Sequence, residues 1–348
     1  MNITFLIGNG FDIACGMNTS YSAIKESYIE NVKSEYSDIL REHFLYEDWG
    51  DFEVGIYKNA DKFADVNQLI SCIEDFADYL PSYIKQEQEK YEKIISEDIL
   101  DIIKKETGDM IKEFWERIPP EQTHFFKNLD EEPNFVNIIS LNYSTLVNKI
   151  FGSTFTKKNV FNGKTSDYAE HYYLQDIINL HGVYDNPPSM VLGVDNENQF
   201  PQKIGKLNSF QKMSLIKQDF INEYDTSNER KAQQVLSDTN VLCIFGCSLS
   251  DSDLRIKHKI IEWFNETDDR HIIKFYRPDK SVLPNRGNHF IEKERVLIEY
   301  FASEIGISLN DENRKRIHIP LGYKLFNYEK VFEKAAEERK KFIEVKSD

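Results

Sequence analysis

The sequence predicts an α/β fold: a Rossmann-like parallel sheet split by a large α-helical insertion. Three observations carry that expectation. Short runs of Val, Ile and Leu recur without polar alternation, the pattern of strands covered by helices on both faces. The first run ends in a turn with two glycines, Gly8 and Gly10. The long stretch before the second run instead carries apolar residues at helical spacing.

Taken in order, "ITFLI" (3–7) is the first expected strand, and "GNGFD" (8–12) leads from it into a helix. Residues 21–134 read as a helical insertion or cap. One stripe there is Ile73, Phe76, Ala77 and Leu80; another is Ile94, Ile95, Ile99, Ile102 and Ile103. "FVNIISL" (135–141), "DIINLH" (176–181), "MVLGV" (190–194), "NVLCIFG" (240–246), "HIIKFY" (271–276) and "RIHI" (316–319) are the further expected strands. The polar stretch 195–235 reads as a lid or helical excursion, and a charged helix closes the chain. The expected division is therefore 1–20 plus 135–325 for the sheet domain, 21–134 for the cap and 326–348 for the C-terminal helix.

The 348 residues are 40% hydrophobic, enough for a sizeable core. The formal net charge of −16 opposes phosphate backbones and anionic lipid surfaces, so direct nucleic-acid binding and a membrane partner are not expected. A nuclease or RNA-targeting toxin would need a basic groove or a metal cluster, and Asp251 with Asp253 is a thin start for one. Cys15, Cys72, Cys243 and Cys247 form no CxxC pair, so no metal is expected. The first residues lack the pattern of a secretory leader, and cytoplasmic localisation is the expectation.

In open α/β sheets ligands bind beyond the carboxyl ends of the strands, so the residues just after each strand belong together. The first end offers Gly8, Asn9, Gly10, Phe11 and Asp12. This turn either cradles an anion or is a strand-to-helix corner that binds nothing. The dehydrogenase fingerprint G-x-G-x-x-G fails, because Ile13 occupies the third glycine position. The second end offers Asn142 and Tyr143, the third His181 and Gly182, and the next Gly246, Ser248 and Asp253. Singly, Asn142 reads as a helix cap, His181 as a core histidine bonded to a carbonyl, and Ser248 and Asp253 as caps. Ser250 or Asp251 is the expected cap of the helix carrying Leu254, Ile260, Ile261 and Phe264. Together, the fold would bring all four ends to one edge.

The ordered set "GNGFD" (8–12), "SLNYSTL" (140–146), "NLHG" (179–182) and "FGCSL" (245–249) resembles the sirtuin-like NAD-binding fold. Sirtuins show a Gly-Ala-Gly turn, Gln-Asn-Ile-Asp, His-Gly and Gly-Thr-Ser-Leu in that order. The variant "FLIGNGFDIACGMNTSY" followed by "WGDFE" (49–53) resembles the AbiH family of bacteriophage abortive-infection proteins. The sirtuin deacylases' four-cysteine zinc module is missing, which argues against protein deacylation.

The resemblance implies an antiphage effector whose site takes NAD as substrate and hydrolyses it to nicotinamide and ADP-ribose. The pyridinium leaves neutral, so the paired carboxylates of ordinary glycosidases are not required. His181 would accept the proton of the attacking water, and Asn142 would hold that water or the ribose hydroxyls. Gly8, Asn9 and Gly10 would face the pyrophosphate, with Asp12 bonding ribose or orienting the loop. Gly246 and Ser248 would line the cleft, and Asp253 would bond the adenosine ribose or cap its helix. Glu53, if the cap folds over, would approach the nicotinamide ribose, while Trp49 packs and Asp51 is solvated. Asp195 reads equally as an ordinary turn residue. A homo-oligomer or a partner defence protein is expected, and the alternative function is a nucleotide sensor that binds without cleaving.

Overall fold

The computed structural model describes residues 1–44, 52–93, 95–115, 118, 123–126, 133–154, 172–201, 204–224, 227–249, 251–276, 287–321, 325–326, 328 and 331. Six strands form one sheet: β1 (Asn2–Ile7), β2 (Asn134–Ser140), β3 (Tyr172–Asn179), β4 (Val241–Phe245), β5 (His271–Phe275) and β6 (Ile317–His318). Every pairing is parallel, and the order is β3-β2-β1-β4-β5-β6. This is the order of doubly wound nucleotide-binding sheets, whose direction of winding reverses between the first and fourth strands. The apolar runs form strands because both faces are covered: β4 and β5 are buried at every position.

One face carries α6 (Glu97–Glu113) and α7 (Leu146–Thr154), whose Ile103, Ile111, Val147 and Phe151 pack with Ile3, Phe5 and Val136. The other carries α10 (Ser227–Asp238), α11 (Leu254–Glu266) and α12 (Gly287–Ile305), with Leu236, Trp263, Phe264 and Phe301 against Leu6, Leu242 and Ile244. Helices thus cover both faces of a Rossmann-like sheet.

The helices between β1 and β2 fall into two groups. From α2 (Tyr21–Asn31), α3 (Glu35–Phe44), α4 (Phe52–Lys58) and α5 (Val66–Glu92), the side chains Tyr28, Leu40, Ile56, Ile73, Phe76 and Leu80 build a separate apolar cluster. Tyr91 near the end of α5, and α6, instead join the core beneath the sheet. The two expected stripes are therefore buried against different partners. Ile99 and Ile103 are buried, but Ile102 is 38% exposed, and Ile94 lies outside the described residues.

"MVLGV" is not a strand. Its apolar residues serve the cap: Val194 joins the cap cluster and makes a single bridge to Ile216. Gly193 has φ +138, which ends any extended run, and a Cβ there would lie 2.6 Å from the Leu215 carbonyl oxygen. The polar stretch that follows is a helical excursion, with α8 (Ser209–Leu215), α9 (Lys217–Tyr224) and α10. Most of the expected C-terminal helix lies outside the described residues.

Candidate functional site

A cleft of about 330 Å³ opens at the carboxyl edge of the sheet. That volume lies at the lower end of small-ligand pockets. Of the residues singled out in the sequence, Gly8, Asn9, Gly10, Asp12, Glu53, Asn142, Tyr143, His181, Gly246, Ser248 and Asp253 all line it. They arrive from the ends of β1, β2, β3 and β4 and from α4 of the cap. Phe11 does not line it. Its ring is fully buried among Phe151, Phe326 and Tyr328, because a residue one step along the short α1 (Gly10–Ala14) faces the core. Trp49 and Asp51 lie outside the described residues.

The glycine turn is shaped first by its neighbour. Gly8 donates its amide to the Phe245 carbonyl at 2.9 Å, and Gly10 donates to the Gly246 carbonyl at 2.7 Å. A Cβ on Gly10 would sit 2.5 Å from the Gly246 Cα, and Gly246 itself has φ +69. The two turns therefore touch backbone to backbone, and only glycine permits that distance. The Gly8 and Gly10 amides are committed to this contact rather than turned toward a phosphate. Asn9 is likewise engaged. Its side chain donates to the Thr19 carbonyl and accepts from the Thr19 hydroxyl, both at 2.6 Å, which pins the loop leading into α2.

Asp12 and Asn142 form the buried heart of the cleft. Asn142 Nδ2 donates to Asp12 Oδ1 at 3.0 Å. Asp12 is 1% exposed and Asn142 3% exposed. Burial raises the Asp12 carboxyl to about 7, against the opposing pull of the Ser144 hydroxyl and the Asn142 amide. Asn142 Oδ1 is buried and has no hydrogen-bond partner, which is unusual for an amide oxygen in a folded interior.

His181 faces the same cleft from the end of β3. Burial and the Lys217 charge push its pKa well below the ordinary imidazole value, opposed by a hydrogen bond to the Leu141 backbone. The ring is therefore neutral at pH 7. Its Nε2 stands 3.8 Å from Asp253 Oδ1. Tyr143 is wedged behind it, with ring centroids 6.3 Å apart and its hydroxyl donating to the Val191 carbonyl at 3.1 Å.

Lys217 was not singled out in the sequence, yet it organises this side of the cleft. Its Nζ donates to Glu53 Oε2 at 2.9 Å and to the Ser252 carbonyl at 3.0 Å, and lies 3.9 Å from Asp253 Oδ1. Burial works against its charge, but Glu53 and Asp253 outweigh that and raise its pKa. Glu53 Oε1 accepts from the Gly193 amide at 3.0 Å. Both Glu53 oxygens are thus engaged in fixing the cap to the excursion, so its principal contacts are structural. A second cavity of about 30 Å³ lies alongside; it shares His181 and Asp253 with the cleft and is also lined by Lys217.

The cap of α11 also differs from expectation. Asp253 stands at the N-cap position without a side-chain cap hydrogen bond. Asp195, from the excursion, accepts from the Arg255 amide at 2.6 Å instead. Asp253 is thereby left to face His181 and Lys217. Asp251 lies in the preceding helical turn, 3.9 Å from Lys257, and Ser250 lies outside the described residues. Among the described residues, no group of three His, Cys, Asp or Glu side chains is placed to hold a metal ion, and no helix is long and apolar enough to cross a membrane.

The family model described as bacteriophage abortive infection AbiH matches residues 4–276, which spans every cleft residue named above. The chain belongs to the AbiH family. It is a member of a family of phage abortive-infection proteins, and the cleft lies wholly within the matched region. No curated protein matches the chain.

Proposed function

We propose that this AbiH chain is an abortive-infection effector that binds an NAD-like nucleotide in the cleft and hydrolyses NAD+ to nicotinamide and ADP-ribose. The observation that carries the reading is the convergence of His181 and Asn142, from two separate strand ends, on one cleft of about 330 Å³. The sirtuin-like motif order supports the same ligand class. In the reaction, the bond between ribose C1′ and the pyridinium nitrogen breaks, and its electron pair neutralises the nicotinamide. A water oxygen bonds to C1′, and its proton passes to the neutral imidazole of His181. Asn142 Oδ1 accepts from that water or from a ribose hydroxyl. The developing positive charge on the ribosyl group lies in a cleft whose carboxylates, Glu53 and Asp253, share one buried lysine. Such an environment favours a cation over an anion.

The test is chromatographic. Wild type incubated with NAD+, with and without extract from phage-infected cells, should release nicotinamide, and His181→Ala should abolish the release. Intact NAD+ in every wild-type sample refutes the reading. The depressed basicity of His181 favours one alternative, a sensor that binds the nucleotide without cleaving it. Calorimetry with ADP-ribose separates the two. A sensor binds with no turnover, and Asn142→Ala then changes affinity alone.

A further inference from the structure

We propose that Asp12 is the positioning residue of this cleft: its carboxylate holds the Asn142 amide with Oδ1 left to receive a ligand hydrogen, and its protonation reverses the polarity that Asn142 presents. The inference rests on the hydrolytic reading for its substrate, but its geometry stands apart from it. Asp12 and Asn142 are buried, line the same cleft and are joined at 3.0 Å. An ionised carboxylate only accepts, so it selects the amide rotamer with Nδ2 toward Asp12. Asn142 Oδ1 is then the remaining acceptor, buried and unpartnered. A water or a ribose hydroxyl would satisfy it, and that is the orientation hydrolysis requires. A protonated Asp12 carries an O–H that can donate to Oδ1 of the opposite amide rotamer. Asn142 then offers N–H to the cleft, where it competes with the hydrogens of the attacking water.

The surrounding groups leave Asp12 in control of the neutral range. Ser144 and Asn142 approach it from the loop after β2. Cys15, just after α1, and Tyr91 on α5 feel its charge, and burial pushes both upward, so they stay neutral. Across the cleft stand Glu53, Lys217, Asp253 and His181, and His181 is already neutral through this window. Asp12, at about 7, changes charge within it.

Two measurements test the proposal. In the wild-type protein, the Asn142 side-chain amide resonances should move between pH 5.5 and 8.5 with a midpoint of about 7. With NAD+ as substrate, wild-type kcat/KM should fall about tenfold per pH unit below that midpoint. Asp12→Asn should lose this acid limb and, at pH 8, lose at least about tenfold in kcat with KM little changed. Far-UV circular dichroism checks that the variant folds, and the wild-type resonances decide the matter if it does not. Asn142 resonances that stay fixed across the range overturn the proposal, as does an unchanged acid limb in Asp12→Asn. Titrating resonances in a protein that never cleaves NAD+ support the Asp12–Asn142 couple and refute the hydrolytic reading alone.

Discussion

Replacing Lys217 by Met should cost far more than removing any surface lysine. Lys217 is 3% and Glu53 4% exposed, and they meet at 2.9 Å. Met keeps the volume but removes the Nζ–H that Glu53 accepts and the positive charge 3.9 Å from Asp253, while the Gly193 amide still donates to Glu53. Breaking a buried pair on one side costs about 3–5 kcal/mol. The Lys259–Glu262 pair at a similar 2.8 Å is a control, because its side chains are 39% and 66% exposed. An exposed pair contributes at most about 1 kcal/mol. Glu53→Gln in the Lys217→Met background removes the stranded charge and should recover part of the loss. The coupling read from the cycle should then exceed about 1 kcal/mol. Denaturant unfolding of the four proteins, with Lys259→Met beside them, measures all of this. A loss for Lys217→Met no larger than for Lys259→Met refutes the reasoning, and so does strict additivity in the double variant.

Three further outcomes follow from buried groups. Asp12 carries a folded value of about 7 against an ordinary 3.8, so the folded state binds the proton more tightly and stability falls as pH rises between those values. Asp12→Asn removes that loss, so its stability relative to wild type should be about 2–3 kcal/mol more favourable at pH 8 than at pH 5, measured by urea unfolding. His271 and His318 stack with nitrogens 3.0 Å apart, and burial holds them at about 4 and about 3. Their folded values lie below the ordinary one, so stability is full above about 6.5 and is lost as pH falls; His271→Asn should reduce that acid slope by about 1.4 kcal/mol per pH unit between pH 6 and 4.5. Gly10→Ala places a methyl 2.5 Å from the Gly246 Cα, backbone against backbone, and should cost at least about 1–3 kcal/mol in thermal unfolding.

The sheet was legible wherever burial on both faces removed polar alternation. "ITFLI" lies wholly within a strand, and "NVLCIFG" and "HIIKFY" each contain one, for that reason. The same signal misled at "MVLGV", since Val191 and Val194 are buried by loop packing and Gly193 leaves the extended region. A run of apolar residues reports burial, and burial alone does not distinguish a strand from a segment threaded under a cap. Asn142 and His181 were found by a rule about strand ends, because topology brings those ends together whatever lies between them. Lys217 had no such signal. A lysine beginning an amphipathic helix looks solvated, and its burial depends on Glu53, 164 residues away in sequence. Phe11 is expected in the cleft but lies in the core, because proximity to the glycine turn does not reveal which side of a short helix faces inward.

The cleft is also where the molecule gives up stability. Asp12 is held buried at a value that makes its ionisation unfavourable, and Asn142 Oδ1 is left without a partner. Neither helps the fold, and an apolar pair of the same volume would avoid both costs. The Lys217 network does the opposite work, locking α4 of the cap, the 193–217 segment and the loop after β4 around one cation. Unfavourable burial inside the cleft and a lock around it are expected together when a fold must hold polar groups in an arrangement they would not adopt alone. Loosening the lock should therefore disturb the Asp12–Asn142 pair less than it disturbs His181, which faces both Lys217 and Asp253 directly.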